Sequence, residues 1–176
     1  IKYIKPFNMT CSATKLLSIS GQNLFGMTLP ELQTYLSVEL GVTEKYRAAQ
    51  LFRHIYNNTP VSAMYDIPIS LRDRLSTSAI IFPGRIKTMQ TSTDGTRKFL
   101  ICGLDGVEYE SVLIPSTQGR MTLCVSSQVG CSFDCAFCHT GTQKLERNLT
   151  AAEVVGQYAL LQEHIGVDRP ITNVVF

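Results

Sequence analysis

The chain has 176 residues, 44% of them hydrophobic and 17% charged, with a formal net charge of +2. This is a globular composition, with room for one domain or two small ones. No apolar run approaches the length of a membrane span, Ile1 to Ser20 has lysines but no sustained apolar core and makes a poor secretory signal, and so small a net charge does not announce a nucleic-acid partner.

Residues 1–21 show no clear period and read as a loose leader. Leu29 to Leu40 reads as a helix, opened by the capping box Thr28-Leu-Pro-Glu31 and stopped by Gly41. Leu29, Leu32, Leu36 and Leu40 fall on one face. A second helix is predicted from Glu44 to Tyr56 with Thr43 as its cap. Ala49, Phe52, Ile55 and Tyr56 form its apolar face, with Leu51 at the edge. Arg47, Gln50, Arg53 and His54 lie opposite, as a solvated surface or as a surface that meets RNA. A third short helix covers Ser70 to Ser78, and the all-helical module ends near Pro83.

The pattern then changes to strands rich in β-branched residues: Arg85 to Thr91, Arg97 to Cys102, Val107 to Ile114 and Met121 to Ser126. Asp94-Gly95 and Asp105-Gly106 supply hairpin turns between them. The fourth strand runs directly into a cysteine-rich loop. Thr150-Ala-Ala-Glu153 is a second capping box, opening a helix with Ala151, Val154, Val155, Tyr158, Leu161 and Ile165 near period 3.6. A last strand begins after Pro170, in the apolar run Ile171 to Phe176. Strand, loop, helix, strand is a βαβ unit of a parallel sheet or barrel, so the fold class is α/β.

Cys131, Cys135 and Cys138 form C-x-x-x-C-x-x-C. Three thiolates at this spacing can hold three irons of a 4Fe–4S cluster, where a self-contained cluster uses four cysteines. The open iron can bind the amino and carboxylate groups of S-adenosylmethionine. An electron passed to its sulfonium then breaks a carbon–sulfur bond and gives a 5′-deoxyadenosyl radical. Zinc is the competing reading, with Cys124 or His139 as a fourth ligand. Phe137 favours the cluster, since an aromatic before the last cysteine is usual in radical-SAM loops; ordinary packing is its other reading. Clustered reduced thiols suggest a cytosolic protein. Cys11 and Cys102 read as structural or exposed thiols.

Beyond the cysteines, Leu123-Cys-Val-Ser-Ser-Gln-Val-Gly-Cys131 resembles the RlmN/Cfr family of radical-SAM RNA methyltransferases. So do Tyr46-Arg-Ala-Ala-Gln-Leu-Phe-Arg53, Ser92-Thr-Asp-Gly95, Glu110-Ser-Val-Leu-Ile-Pro115, Arg147-Asn-Leu-Thr150, Glu153-Val-Val-Gly-Gln157 and Arg169-Pro-Ile-Thr-Asn-Val-Val175. The resemblance spans about residue 21 to the end. It implies a leader over 1–21, a helical accessory domain over 22–83 that is a candidate to face RNA, and over 84–176 a β extension with the first βαβ portion of a (β/α)6 radical-SAM barrel.

The resemblance also implies roles for single residues. Cys131, Cys135 and Cys138 would ligate the 4Fe–4S cluster, with Phe137 beside the cofactors. Glu110 would be the general base that takes the proton from adenine C2, a role Glu108 could mimic from the same strand face. Cys124 would resolve the covalent enzyme–RNA adduct through a transient disulfide with a methyl-carrying cysteine. His139 departs from the serine common in the family and reads as packing or a hydrogen bond.

The cofactors implied are the cluster and S-adenosylmethionine. The partners implied are 23S rRNA and certain tRNAs in the cytoplasm, with C2 chemistry as in the RlmN branch and C8 chemistry as the Cfr alternative. The family's Gly-Met-Gly-Glu-Pro segment and its methyl-carrying cysteine have no counterpart in these residues. The expectation is a chain inactive by itself, whose partner is the remaining half of the enzyme.

Overall fold

A computed structural model describes residues 21–117, 119–133, 135–136, 142–166 and 168–176. The chain begins with β1 (Gln22–Asn23), α1 (Leu29–Val38), α2 (Lys45–Tyr56), a single 3-10 turn (Val61–Ala63), α3 (Ile69–Ser78) and β2 (Ala79–Ile80). The module is thus not purely helical. β1 pairs in parallel with β2, Gln22 opposite Ala79, and this clasps its beginning to its end.

Thr28 and Glu31 form the capping box expected at the start of α1: the Thr28 amide donates to Glu31 Oε2 at 2.7 Å. The helix stops at Val38, two residues early. Leu32, Leu36 and Leu40 are buried as predicted, while Leu29 is largely exposed and Tyr35 takes its place inside. The Tyr35 hydroxyl donates to the Ser78 carbonyl at 3.2 Å, so the ring buries without orphaning its polar end.

The second helix differs from its sequence pattern in two ways. Glu44 rather than Thr43 occupies the N-cap. The inward face is Ala48, Leu51 and Ile55, with Ala49 exposed. Phe52 and Tyr56 pack at the border of that face, rings 4.6 Å apart, and Tyr56 lies 5.2 Å from Phe25. Large rings reach the core from a flank position, which displaces the stripe read from hydrophobicity alone. The polar quartet opposite converges on Asp66. Arg53 and His54 hold its carboxylate, and Arg47 donates to its carbonyl and to Gln50. The His54 hydrogen bond is the main cause of the lowered Asp66 pKa.

The second half is a five-stranded sheet in the order β3 (Arg85–Thr91), β4 (Arg97–Cys102), β5 (Glu108–Pro115), β6 (Met121–Cys124) and β9 (Asn173–Val175). The first four are antiparallel neighbours, and β6 pairs in parallel with β9. Gly95 and Gly106, at φ +84° and +88°, make the two tight turns that the Asp-Gly pairs predicted. β6 and β9 are shorter than the strands read from sequence, because Ser126 and Ile171 bond to a helix side chain instead of continuing the ladder.

The crossover between β6 and β9 is α4 (Ala151–Ile165). Its capping box forms: the Thr150 amide donates to Glu153 Oε2 at 2.8 Å and the Glu153 amide to Thr150 Oγ at 3.3 Å. Its buried face corrects the predicted one. Gly156, Gln157, Ala159, Leu160 and Leu161 are inside, whereas Val155 and Tyr158 are 40% and 41% exposed. The helix is covered on two sides, by the helical module and by the sheet, so a single apolar stripe does not describe it. Phe99, Ile101, Tyr109, Leu113 and Leu123 meet Leu160 and Leu161 in the sheet core.

Candidate cluster loop and the strand face beside it

After β6 the chain enters β7 (Gln128–Val129), which pairs antiparallel with β8 (Arg147–Asn148). These two short strands make a neck that closes residues 130–146 into a loop. Below the neck the Leu149 amide donates to the Ser127 carbonyl at 2.9 Å, and above it the Glu146 amide donates to Val129 at 2.9 Å. The Cys131 amide donates to the Gln143 carbonyl at 3.2 Å, and Cys131 bridges Lys144. Gly130 sits at φ +76°, where a Cβ would stand 2.1 Å from the Lys144 carbonyl oxygen. Only glycine lets the two sides of the neck approach so closely.

Cys131 therefore stands on the neck and Cys135 farther along the loop, both half-buried free thiols. The Phe133 amide donates to Cys131 Sγ at 3.4 Å. Phe137, Cys138 and His139 lie outside the described residues, as does Cys11. Among the described residues no three His, Cys, Asp or Glu side chains gather as a metal set, and the described cysteines 102, 124, 131 and 135 are not joined in disulfides. The donor types fit the implied cluster: two thiols of the C-x-x-x-C-x-x-C motif lie among the described residues, Cys131 on the neck and Cys135 farther along the loop.

The neck is tied to α4 by Arg147. Its guanidinium bonds Glu153 Oε1 at 2.7 Å, Glu153 Oε2 at 2.9 Å and Asp105 at 2.6 Å. Burial by itself pushes the Glu153 carboxyl up, but the bonds from Arg147 and Thr150 outweigh it and the net shift is downward. The bond to Glu153 likewise raises the Arg147 guanidinium above its ordinary value.

The sheet has two chemically distinct faces. Phe99, Ile101, Tyr109, Ser111, Leu113 and Leu123 turn towards α4. Strand alternation sends Lys98, Leu100, Glu108, Glu110, Val112 and Cys124 to the other face. Cys124 is opposite Val112 in the register, so Glu110, two residues along β5, is its diagonal neighbour. Such diagonal Cα atoms lie about 7–8 Å apart, within reach of long side chains. Glu110 pairs with Lys98 at 2.9 Å, its side chain 51% exposed. Glu108 pairs with Lys87.

Three residues essential to this arrangement escaped the residue-level reading: Ser111, Ser126 and Gln157. Gln157 is fully buried, on a helix otherwise packed by apolar groups. Its signals in the sequence are a polar amide at helical spacing from Leu160 and Leu161 and its place at the end of the segment Glu153-Val-Val-Gly-Gln157.

The chain is similar to known proteins over most of its length. Residues 22–81 match the family described as the ribosomal RNA large subunit methyltransferase N-terminal domain. The chain is 45% identical over 172 residues to the dual-specificity RNA methyltransferase RlmN of Phenylobacterium zucineum, covering 91% of this chain and 44% of that protein. The RlmN of Pseudomonas putida is 41% identical over 174 residues, covering 95% of this chain and 43% of the relative. The crystal structure of a radical SAM methyltransferase from Sphaerobacter thermophilus superposes with a TM-score of 0.75 at 37% identity, covering 88% of this chain and 46% of that one. The chain spans less than half the length of the relatives it matches.

Proposed function

We propose, for a chain that belongs with the RlmN radical-SAM RNA methyltransferases, that it supplies the cluster loop, the general base and the resolving thiol of an enzyme methylating adenine C2 in 23S rRNA and in certain tRNAs, in the cytoplasm. The observation that carries the reading is the neck at Gly130. It closes the loop that begins at Cys131 a few residues beyond the strand that holds Cys124, and that strand pairs with the one that holds Glu110.

Cys131, Cys135 and Cys138 would hold the 4Fe–4S cluster, with Phe137 beside it. The cluster, when bound, offers an open iron to S-adenosylmethionine and the electron that cleaves it. The chain's own residues do the rest. The neck fixes the start of the loop, and the Phe133 amide, donating to Cys131 Sγ, orients that sulfur. Glu110, held by Lys98 on an open strand face, accepts the proton that adenine C2 loses once a carbon is attached there. Cys124, on that face, would attack the sulfur that links enzyme to RNA, forming a disulfide as the carbon–sulfur bond breaks and leaves its electron pair on the carbon attached to adenine, which then takes a proton.

Anaerobic purification tests the reading. Iron and sulfide bound in a brown protein, lost on replacing Cys131, Cys135 or Cys138 by Ala but kept on replacing Cys102 or Cys124, is the expected result. A colourless protein holding zinc makes the chain a zinc-stabilised RNA-binding module. Methyl label on adenine C8 rather than C2 assigns it the Cfr chemistry.

A further inference from the structure

Gln157 has no solvent exposure and one carboxamide, and apart from one bond within its own helix every bond that amide makes is to a segment of the proposed site. Its Oε1 accepts from the Ser126 amide at 2.8 Å and from the Ser111 hydroxyl at 2.6 Å. Its Nε2 donates to the Ser126 carbonyl at 2.9 Å and to the Glu153 carbonyl at 3.3 Å. The side chain thus meets both backbone groups of Ser126, as a neighbouring strand would, two residues beyond the point where β6 ends. Ser126 in turn donates its hydroxyl to the Glu110 carbonyl at 2.7 Å.

Ser126 stands between Cys124 and Cys131. One amide on α4 therefore fixes the segment joining the resolving thiol to the cluster loop, and through the Ser126 hydroxyl it fixes the backbone that carries Glu110. A glutamine is the side chain that suits this task, because a backbone peptide needs one donor and one acceptor side by side. A buried amide whose oxygen and nitrogen are both engaged has little freedom to drift.

We infer that Gln157 is a positioning residue: it sets the placement of Glu110 relative to Cys124 and the cluster loop, and so governs proton removal rather than cluster binding. The inference rests on the proposed function, because it acts through Glu110. A displacement of about 1 Å in such a group lowers turnover by about 100-fold.

The test uses the intact enzyme with four variants: Gln157→Leu, Ser126→Ala, Glu110→Gln, and Gln157→Leu combined with Glu110→Gln. For Gln157→Leu we expect iron content and KM for RNA to be unchanged, kcat about 100-fold lower, and faster amide hydrogen exchange at residues 126–131. Ser126→Ala loses only the bond to the Glu110 carbonyl and keeps its backbone bonds to Gln157. It should lower kcat about 10-fold without changing the melting temperature, and it keeps the test meaningful if the leucine variant folds poorly. Combining Gln157→Leu with Glu110→Gln should cost nothing beyond Glu110→Gln itself. A fall in kcat that only follows the loss of folded protein, or losses that add in the double variant, overturns the positioning role. Full turnover by Glu110→Gln alone overturns the base assignment, a distinct result.

Discussion

Gly156 of α4 faces the carbonyl oxygen of Pro83 so closely that a Cβ at this position would lie 2.0 Å from it. Pro83 ends the helical module and Gly156 lies on the crossover helix of the sheet half, so this contact sets how near the two come. Gly156→Ala pits about 1 kcal/mol of gained helix propensity against overpacking of about 1–3 kcal/mol. The clash is with backbone, which does not rotate away, and the expected outcome is a lower denaturation midpoint. Chemical denaturation of the two proteins side by side measures it.

The neck of the cysteine loop gives a second prediction. Gly130→Ala places a Cβ against the Lys144 carbonyl and forces a residue with a side chain to φ +76°. The neck should open while the distant sheet core stays packed. Iron retained per chain after anaerobic reconstitution should fall several-fold, with far-ultraviolet circular dichroism nearly unchanged. Iron loading equal to the parent would show that the neck does not organise the ligands.

The orientation of α4 can be tested by two truncations. Leu161 is fully buried, and Leu161→Ala should cost about 2–5 kcal/mol. Val155 is 40% exposed, and Val155→Ala should stay within about 1 kcal/mol. Equal losses would mean that the inward face has been drawn on the wrong side.

This helix also shows where the sequence was readable and where it was not. Its capping box at Thr150 and Glu153 is a local signal, and the helix begins where that signal puts it. Strands Arg85–Thr91 and Arg97–Cys102 have the bounds expected from β-branched runs and an Asp-Gly turn. The buried face of α4 depends instead on Gly156 meeting Pro83 and on Gln157 meeting Ser126, contacts 73 and 31 residues apart in the chain. Neither glycine nor glutamine scores as apolar, so periodicity passed over both. The cysteine spacing marks a candidate metal set in the sequence, but the neck around Cys131 depends on residues 143–147 returning to it.

Acid should act on the tie between neck and helix. Glu153 has a folded-state pKa below its ordinary value of 4.5, set by burial that raises it and by stronger bonds from Arg147 and Thr150 that lower it. A carboxyl depressed on folding contributes stability that is complete above its unfolded pKa and is lost as pH falls through the folded one. Stability should therefore decline below about pH 4.5, and Glu153→Gln should flatten that decline while lowering stability at pH 7. Denaturation midpoints from pH 7 down to pH 3 test the sign; an unchanged acid limb in the variant would discount Glu153.

Glu110 and Glu108 provide an internal control for the proposed chemistry. They share a strand face, and each pairs with a lysine, Glu110 with Lys98 on the adjoining β4 and Glu108 with Lys87 on β3, one strand farther. Both pairs are partly exposed, and such pairs contribute only about 0.2–1 kcal/mol. Replacing either glutamate by glutamine should thus leave stability nearly unaltered, which removes folding as an explanation for lost activity. Only Glu110 is the diagonal neighbour of Cys124; Glu108 lies two residues farther along, opposite Cys102. In the intact enzyme, Glu110→Gln should let the RNA-linked adduct form and then stall before proton loss, whereas Glu108→Gln should turn over at the parent rate. Trapped RNA–protein adduct on denaturing gels, together with labelled methyl transferred to adenine, separates the two. Turnover by Glu110→Gln at the parent rate would strike Glu110 from the catalytic residues, and a stall by Glu108→Gln would move the base one pleat along β5.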